Sequence, residues 1–463
     1  MNEEMQEAQT NLYDLIVLGG GPAGYFAAER AADAGFHTLL LEERNLGGVC
    51  LNEGCIPTKS LLYSAKIAQS ALHGEEYGVS ASGLRLDHVK VIERKNEVVR
   101  KLVGGVATAL RNRKVEAVHA RGVLKGRSES GFAVEAEGRI YEGARLLLCT
   151  GSEAIIPPID GVREALQSGF ALTSREILDL NEVPHCLTIV GGGVIGLELA
   201  NYFAAAASEV TVVEMLPEVG GAIDADIAKN LRGNLEKLGV RFLLETKANA
   251  IQSGSVRVLK RDGTEEAIRA DKVLLSIGRR PRSEGMGFET LGLYTEKGAV
   301  VTDARMRTNV PGVWAAGDVN GKLMLAHTAY REAAVAVSDM AGVNDAMRYD
   351  AVPQIVYTSP EAAGVGETER SAEAKGYVFD KAVLPLQYSG RYVCEDMNGD
   401  GFAKLLCERD TGRILGVHII GNYASEIILS AAILVGSKWS KEAASKIVYP
   451  HPTVGEILRD LLI

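Results

Sequence analysis

The feature that most constrains the fold is a glycine-rich motif that occurs twice, each time in a strand–turn–helix–strand setting. The first copy places GGGPAG (residues 19–24) after the apolar run YDLIVL and ends at Glu42. The second places GGGVIG (residues 191–196) after LTIV and ends at Glu214. In both copies the acid follows the first glycine by 23 residues. A glycine-rich turn between a buried strand and a helix is typical of a dinucleotide-binding βαβ unit, so the chain predicts two such units.

Both turns predict a binding site for a dinucleotide. Their glycines let backbone N–H groups at a helix N-terminus approach a pyrophosphate, where the helix dipole favours negative charge. The predicted pyrophosphate contacts are Gly19, Gly21, Gly24, Gly191, Gly193 and Gly196. Glu42 and Glu214 should accept hydrogen bonds from ribose hydroxyls. No Arg or Lys follows Glu214 in MLPE, and its carboxylate would repel a 2′-phosphate, so the second site should prefer NAD to NADP.

Charge and apolar patterning exclude several classes of partner. The chain of 463 residues carries a formal net charge of −10 and no block of basic residues, which argues against nucleic acid and anionic membranes. It holds no run of 18 uncharged apolar residues, so no membrane span is predicted. The polar, acidic N-terminus resembles neither a secretion signal nor a transit peptide, and a cytoplasmic location is expected.

Two cysteines, Cys50 and Cys55, lie in the segment GGVCLNEGCIPTKSLL, directly after the first βαβ pattern. In a reducing compartment, a cysteine pair that forms a disulfide is more often catalytic than structural. Residues five apart in a regular helix are separated by about 7.5 Å along the axis, whereas a disulfide needs Cα atoms within about 7 Å. If the pair bridges, the backbone must turn sharply before Cys55, and Gly54 permits that turn. The alternative is half of a metal site, but no second Cys or His pair has matching spacing, so no metal is predicted.

Near the C-terminus, HPTVGE offers a candidate acid–base group at His451. A residue before proline avoids the helical region, so His451 should be extended. Two interpretations of Glu456 stay open. It could pair with Thr453 in a capping box at a helix start. It could instead orient the imidazole of His451 and stabilise its protonated form.

The remaining pattern completes the predicted fold. A long helix is predicted over residues 87–112, with Asp87 as its N-cap. Runs at 403–407 and 414–420, followed by helical stretches, predict an antiparallel sheet with helices. Residues 396–401 imitate the start of a calcium loop, but Cys407 stands where a bidentate glutamate is required, so a hairpin turn is predicted there. The fold class is therefore α/β, with two Rossmann-like dinucleotide-binding domains and a C-terminal α+β domain.

Taken together, these motifs resemble the pyridine nucleotide–disulfide oxidoreductase family, most closely its dihydrolipoamide-oxidising branch. The resemblance extends over nearly the whole chain beyond the first eleven residues. The matching segments are GGVCLNEGCIPTKSLL, LTIVGGGVIGLELA, WAAGDV, MLAHTA and YPHPTVGE. It implies FAD at the first fingerprint and NAD at the second. The implied domains are residues 1–149 and 280–346 for FAD, 150–279 for NAD, and 347–463 for dimerisation.

The resemblance also implies roles for individual residues. Cys50 and Cys55 would form the redox disulfide, with Cys55 facing the flavin and Cys50 exchanging with the substrate. Lys59 would lie by the flavin N5, paired with Glu198. His451 and Glu456 would reach the site from the other subunit of a homodimer. Asp318 would contact the ribityl chain, and the further implied cofactor contacts are Lys59, Thr150, Gly151, Gly278, Gly317 and Ala326.

The function implied is FAD-dependent oxidation of dihydrolipoamide to lipoamide with NAD⁺ as acceptor. The implied substrate is dihydrolipoamide or a lipoylated carrier protein of a 2-oxoacid dehydrogenase or glycine-cleavage system. One alternative is another NADH-dependent disulfide reductase of the same family. A second, from a different class, is a non-catalytic flavoprotein that serves as a scaffold. A departure from the family pattern is Glu53, which replaces a small apolar residue and whose charge should disfavour a thiolate nearby.

Overall fold

The computed structural model describes residues 12–463, which form two compact units. The first comprises residues 12–57, 95–154 and 279–347, and the second comprises residues 58–94, 155–278 and 348–463. Two long helices, Cys55–Leu72 and His88–Asn112, each contribute residues to both units. Helix His88–Asn112 begins after Asp87, whose carboxylate accepts the N–H of Lys90 at 3.3 Å, as expected for the predicted N-cap. The division of the chain into four domains remains a prediction.

The first unit is built on a five-stranded parallel sheet. In spatial order its strands are Val313–Ala315, Leu146–Leu148, Leu15–Leu18, Thr38–Glu42 and Glu116–His119. The strand Leu15–Leu18 is buried along its whole length, as expected for a parallel strand covered on both faces. The predicted strand over 13–18 is interrupted at Asp14, whose side chain accepts the N–H of His37. Residues before the break join a second sheet.

That second sheet of the first unit has the order Leu12–Tyr13, Arg139–Gly143, Gly131–Ala136 and Val123–Ser128. Short antiparallel pairs join Ser152–Ala154 to Arg279–Pro281 and Thr295–Glu296 to Ala299–Val300. The helices of this unit are Pro22–Asp33, Gly48–Glu53 and Ala326–Met340. Pro22–Asp33 is the crossover between the two central parallel strands, so its N-terminus opens at their carboxyl edge.

The second unit repeats the same plan around the second fingerprint. Its parallel sheet has the order Ala171–Thr173, Lys272–Leu275, Cys186–Val190, Glu209–Val213 and Arg241–Leu243. Helices Val162–Gln167, Val194–Ala205 and Ala225–Lys237 belong to this region. A three-stranded antiparallel sheet follows, made of Thr246–Gln252, Ser255–Lys260 and Glu265–Arg269. The two Rossmann-like regions predicted from the repeated motif are therefore confirmed.

The C-terminal part of the second unit is the predicted antiparallel sheet with helices. The strand order is Gln354–Val356, Glu361–Gly366, Ile414–Gly421, Phe402–Glu408 and Phe379–Pro385. The accompanying helices are Glu369–Ala374, Gly390–Glu395, Ala424–Gly436, Lys441–Ser445 and Ile457–Leu461. Strand Ile414–Gly421 is buried at every position because sheet and helices enclose it.

The hairpin predicted at residues 396–401 is wrong. A helix, Gly390–Glu395, precedes the turn, and only the following segment is a strand. The helix begins at Ser389, whose hydroxyl accepts the N–H of Tyr392, a capping contact that the strand interpretation overlooked. Among residues 12–463, no helix is both long enough and apolar enough to cross a membrane.

Candidate active site

The first and last glycines of both fingerprints occupy positions that only glycine can fill. Gly19 has φ +101°, and a Cβ there would lie 2.2 Å from the carbonyl oxygen of Cys149. A Cβ on Gly24 would lie 1.7 Å from the carbonyl oxygen of Gly19. The second turn repeats this geometry, because a Cβ on Gly196 would lie 2.3 Å from the carbonyl oxygen of Gly191. The last glycine of each motif thus lets its helix pack directly against the turn.

The two acids brace the turns that they follow. Glu42 accepts the N–H of Gly20 at 2.6 Å through Oε2 and that of Arg44 at 2.7 Å through Oε1. Glu214 holds its own turn in the same way, accepting the N–H of Gly192 at 2.6 Å and of Leu216 at 2.8 Å. Each carboxylate therefore orders the turn, and its remaining lone pairs can still accept hydrogen bonds from a ribose.

Both fingerprint helices begin in a way that suits a pyrophosphate. Gly21 and Gly193 are the N-cap residues, and neither supplies a side-chain cap. A Cβ on Gly193 would meet no atom within 4 Å, and a Cβ on Gly21 would meet only the Cα of Gly48 at 3.8 Å. The side-chain position of each N-cap glycine is uncrowded, so a ligand can approach the first turn of each helix at the positive end of the helix dipole. The residues present fit a dinucleotide at each turn.

This geometry gives a first test. We expect Gly196→Ala to weaken NADH binding by about tenfold or more, because the added methyl forces the helix away from the turn that holds the pyrophosphate. The flavin content should stay that of the unaltered protein. NADH titration followed by fluorescence measures the affinity.

Gly233→Ala is the matched control for this change. Gly233 lies inside helix Ala225–Lys237, and a Cβ there would meet no atom within 4 Å. Alanine should therefore leave NADH affinity unchanged and stabilise the helix by about 0.5–1 kcal/mol. Equal NADH affinity in the Gly196 variant and this control would contradict the role assigned to Gly196.

Asp318 lies in a hydrogen-bonded cluster that the sequence did not reveal. Its Oδ2 accepts the hydroxyl of Ser152 at 2.5 Å, and Arg279 donates to the same hydroxyl at 2.7 Å. Arg279 also donates to the backbone oxygen of Ser152 at 2.8 Å. The fully buried Glu332 accepts the N–H of Gly317 at 2.7 Å and fixes the backbone before Asp318. The spacing of Ser152, Arg279, Asp318 and Glu332 does not link them, since they come from four separate elements of the chain.

The other predicted cofactor contacts lie at the ends of strands or helices. The hydroxyl of Thr150 donates to the backbone oxygen of Arg282 at 2.5 Å, and Gly151 has φ +74°. Ala326 is the first residue of its helix, and the N-cap residue Leu325 supplies no side-chain cap. In the second unit, the backbone oxygen of Gly278 accepts the N–H of Ile155 at 3.0 Å.

The two cysteines stand on either side of a break in the helix. Cys50 belongs to helix Gly48–Glu53, which ends at Gly54, and Cys55 begins helix Cys55–Leu72. A Cβ on Gly54 would lie 3.1 Å from a backbone oxygen, so the break has little room for a larger residue. Both cysteines are half-buried. The sharp turn that a bridge between them requires is therefore present.

Three further side chains surround this segment. The hydroxyls of Tyr25 and Tyr330 are 2.5 Å apart. Burial raises the pKa of Tyr25, and its bond to Tyr330 and the negative charge of a Cys50 thiolate add to that shift. Arg44 contacts Glu53, the last residue of helix Gly48–Glu53, with 2.7 Å between Nη1 and Oε1. The sequence alone did not indicate Tyr25, Tyr330 or Arg44 as neighbours of the cysteines, because all three lie outside the segment GGVCLNEGCIPTKSLL.

In the second unit, the structure brings Lys59 and Glu198 together. The ammonium group of Lys59 donates to both oxygens of Glu198, at 2.9 and 2.8 Å. It also lies 4.3 Å from the ring centre of Tyr357, a cation–π contact. The backbone N–H of Tyr357 donates to Glu198 at 3.0 Å. The side chain of Glu198 is only 5% exposed, so this cation is fixed by a largely desolvated carboxylate.

His451 and Glu456 also lie together, with 2.8 Å between Nδ1 and Oε2. The imidazole is 71% exposed, whereas the carboxylate is 3% exposed. The capping-box interpretation of Glu456 is wrong, because the Thr453 hydroxyl donates to the backbone oxygen of Pro450 and forms no cap. The buried carboxylate therefore orients an imidazole that remains accessible on its other side.

The sequence profile described as pyridine nucleotide-disulphide oxidoreductase matches residues 13–333, and the profile of its dimerisation domain matches residues 352–462. The chain belongs to the pyridine nucleotide-disulphide oxidoreductase family. The matched dimerisation domain supports a homodimer. Among residues 12–463, no group of three or more His, Cys, Asp or Glu side chains is arranged to hold a metal ion.

Curated relatives within this family match the chain over nearly its full length. A dihydrolipoyl dehydrogenase of Thermus scotoductus is 38% identical, covering 97% of this chain and 96% of its own. That of Chlamydia muridarum is 36% identical, covering 96% and 95%. Among solved structures, LpdA of Mycobacterium tuberculosis superimposes with a TM-score of 0.86 at 25% identity, covering 97% and 98%. The HOCl-induced flavoprotein disulfide reductase RclA of Escherichia coli gives 0.84 at 28% identity, covering 97% and 99%.

Proposed function

We propose that this oxidoreductase is a dihydrolipoyl dehydrogenase, which oxidises dihydrolipoamide to lipoamide with NAD⁺ as acceptor. The observation that carries the proposal is full-length similarity, at 33–38% identity, to relatives that bear this name. Gly19, Gly21, Gly24, Glu42 and Asp318 would hold FAD, whereas Gly191, Gly193, Gly196 and Glu214 would hold NAD.

His451 acts as the base that activates the dithiol. With Nδ1 facing the Glu456 carboxylate at 2.8 Å, the ring keeps its proton on Nδ1 and leaves the Nε2 lone pair free. Nε2 takes a proton from one substrate thiol, and the buried carboxylate stabilises the imidazolium that forms. Because only the thiolate attacks a disulfide, this proton transfer starts the reaction.

Cys50 and Cys55 then exchange with the substrate. The substrate thiolate attacks Sγ of Cys50, the bond between the cysteines breaks, and Cys55 leaves as a thiolate. The second substrate thiol displaces Cys50, closing the lipoamide disulfide and leaving two electrons on the cysteine pair. Bound FAD supplies the two-electron relay from these sulfurs to NAD⁺. Lys59 lies four residues after Cys55 on one helix and is held in place by Glu198.

We also propose that the active enzyme is a homodimer. In a homodimer, the His451–Glu456 pair of one subunit completes the active site of the other. The substrate in the cell is then a lipoyl group on a separate carrier protein of a 2-oxoacid dehydrogenase or glycine-cleavage system. The exposed imidazole suits this arrangement, since a long, flexible lipoyl arm needs an accessible base.

The nucleotide site gives a second prediction. We expect NADH to be used with a kcat/KM about 100-fold or more above that of NADPH, because Glu214 would face the 2′-phosphate and a like-charge contact costs several kcal/mol. Glu214→Gln should reduce this preference. Glu209→Gln removes the same charge from the exposed start of the same strand and should leave the preference unchanged. Efficient use of NADPH by the unaltered protein would contradict the assignment.

A panel of disulfides tests the proposed function. The purified holoenzyme is assayed with NADH against lipoamide, glutathione disulfide and coenzyme A disulfide, and in reverse with dihydrolipoamide and NAD⁺. We expect lipoamide to give by far the highest kcat/KM. The Escherichia coli structural relative is named a disulfide reductase, so a preference for another disulfide would redirect the assignment within the family. No turnover with any of them would favour the scaffold alternative.

A further inference from the structure

The segment that holds Cys50 and Cys55 also carries a half-buried acid, Glu53, which the proposed chemistry does not use. Glu53 lies three residues after Cys50 on helix Gly48–Glu53, a spacing that places both side chains on the same face. The Glu53 side chain is only 16% exposed. A carboxylate close to a thiol disfavours the thiolate, so Glu53 alone would oppose reduction of the cysteine pair.

Arg44 offsets that charge. Its guanidinium contacts the carboxylate of Glu53, with 2.7 Å between Nη1 and Oε1. The backbone of Arg44 is anchored independently, because its N–H donates to Glu42 at 2.7 Å. The cation therefore reaches the disulfide segment from the end of the strand that precedes it. Replacing only the Arg44 side chain leaves this backbone contact in place.

A second guanidinium shows that Glu53 shares its electrostatic surroundings with the cysteines. Arg279 is fixed by two hydrogen bonds to Ser152. Burial lowers the pKa of Arg279, while Asp318, Glu53 and Cys55 act in the opposite direction. Glu53 and the Cys55 sulfur thus lie within electrostatic reach of the same fixed cation. A change in the charge near Glu53 should therefore reach the sulfurs.

We propose that Arg44 and Glu53 form a compensating ion pair that sets the redox equilibrium of the Cys50–Cys55 pair. The inference rests on the proposed function in one respect, that these two cysteines are the redox pair. Reduction by a dithiol breaks their Sγ–Sγ bond, leaves one thiolate and one thiol, closes the dithiol to a disulfide and releases one proton. The disulfide is neutral and the reduced pair carries a negative charge, so nearby charges bias the equilibrium.

Substitutions of Arg44 and of Glu53 should shift the redox equilibrium of the cysteine pair in opposite directions. Arg44→Met removes one positive charge from beside the Glu53 carboxylate, so the disulfide should become harder to reduce by about tenfold in equilibrium constant, about 30 mV for a two-electron couple. Glu53→Val leaves the guanidinium uncompensated and should make the disulfide easier to reduce by a similar factor. The double variant should return close to the unaltered equilibrium, the signature of a coupled pair.

The holoenzyme variants are equilibrated in a dithiothreitol series, quenched with an alkylating agent and read by mass spectrometry at Cys50 and Cys55. Lys125→Met and Glu135→Val split another ion pair of the same unit, one that joins two strands, and should leave the equilibrium unchanged. The proposal is wrong if both single variants shift the redox equilibrium in the same direction, or if neither shifts it. In that case the unaltered protein would still turn over lipoamide, and the proposed function would stand. Cysteines that never form a disulfide in this series would instead refute the proposed function.

Discussion

Cys50→Ser should reduce lipoamide turnover to the rate of a reaction blank. A serine hydroxyl at this position has no low-pKa anion and forms no mixed disulfide, so the substrate has no sulfur to exchange with. The substitution is nearly isosteric, and Cys50 is half-buried in helix Gly48–Glu53. NADH oxidation with lipoamide, followed by absorbance, measures the loss.

The control for this variant is electron transfer that bypasses sulfur. NADH oxidation by ferricyanide should continue, because both nucleotide fingerprints are untouched. Cys394→Ser is a matched substitution at an exposed cysteine and should retain full lipoamide activity. Lipoamide turnover that survives in the Cys50 variant would show that the cysteine pair is not the exchange site.

The second large effect is expected at His451. Replacing it with glutamine should lower kcat/KM for dihydrolipoamide by about a hundred- to ten-thousand-fold, the usual contribution of a positioned acid–base group. The imidazole is 71% exposed, so its loss should leave the stability of the fold almost unchanged. Ferricyanide reduction by NADH should again be unaffected.

Glu456→Gln separates orientation from charge in this pair. The amide oxygen still accepts the Nδ1 proton, but the negative charge that stabilises the imidazolium is lost. We expect a smaller decrease in kcat/KM for dihydrolipoamide than the His451 substitution causes, about tenfold. An unchanged kcat/KM would show that Glu456 serves only to pack the C-terminal region.

The fingerprints could be read from the sequence because their determinants are local. Gly19 needs a positive φ, and Gly24 must tolerate a backbone oxygen 1.7 Å from any Cβ, so composition and spacing alone indicate the turn. The break between the cysteines follows from helix geometry in the same way. The strand predicted over residues 13–18 is wrong at Asp14, where the side chain accepts the N–H of His37 and the strand is interrupted.

Long-range pairings had no such local signal. Lys59 and Glu198 are 139 residues apart, and only the family resemblance indicated them. Arg279, Ser152 and Asp318 are joined across segments by hydrogen bonds that no spacing encodes. The Thr453 hydroxyl matched a capping box in sequence, yet it donates to a backbone oxygen three residues earlier instead.

The most direct test of the central claim is an anaerobic titration of the purified holoenzyme with dihydrolipoamide. Cysteines are alkylated in one portion before and in a second portion after one equivalent is added without NAD⁺, and NAD⁺ is then added to a third portion that is not alkylated. Exchange through the disulfide predicts that Cys50 and Cys55 are protected before the titration and alkylated after it, and that the third portion transfers one electron pair to NAD⁺ for each cysteine pair. Cysteines that label equally before and after, while NAD⁺ is still reduced, would contradict the account.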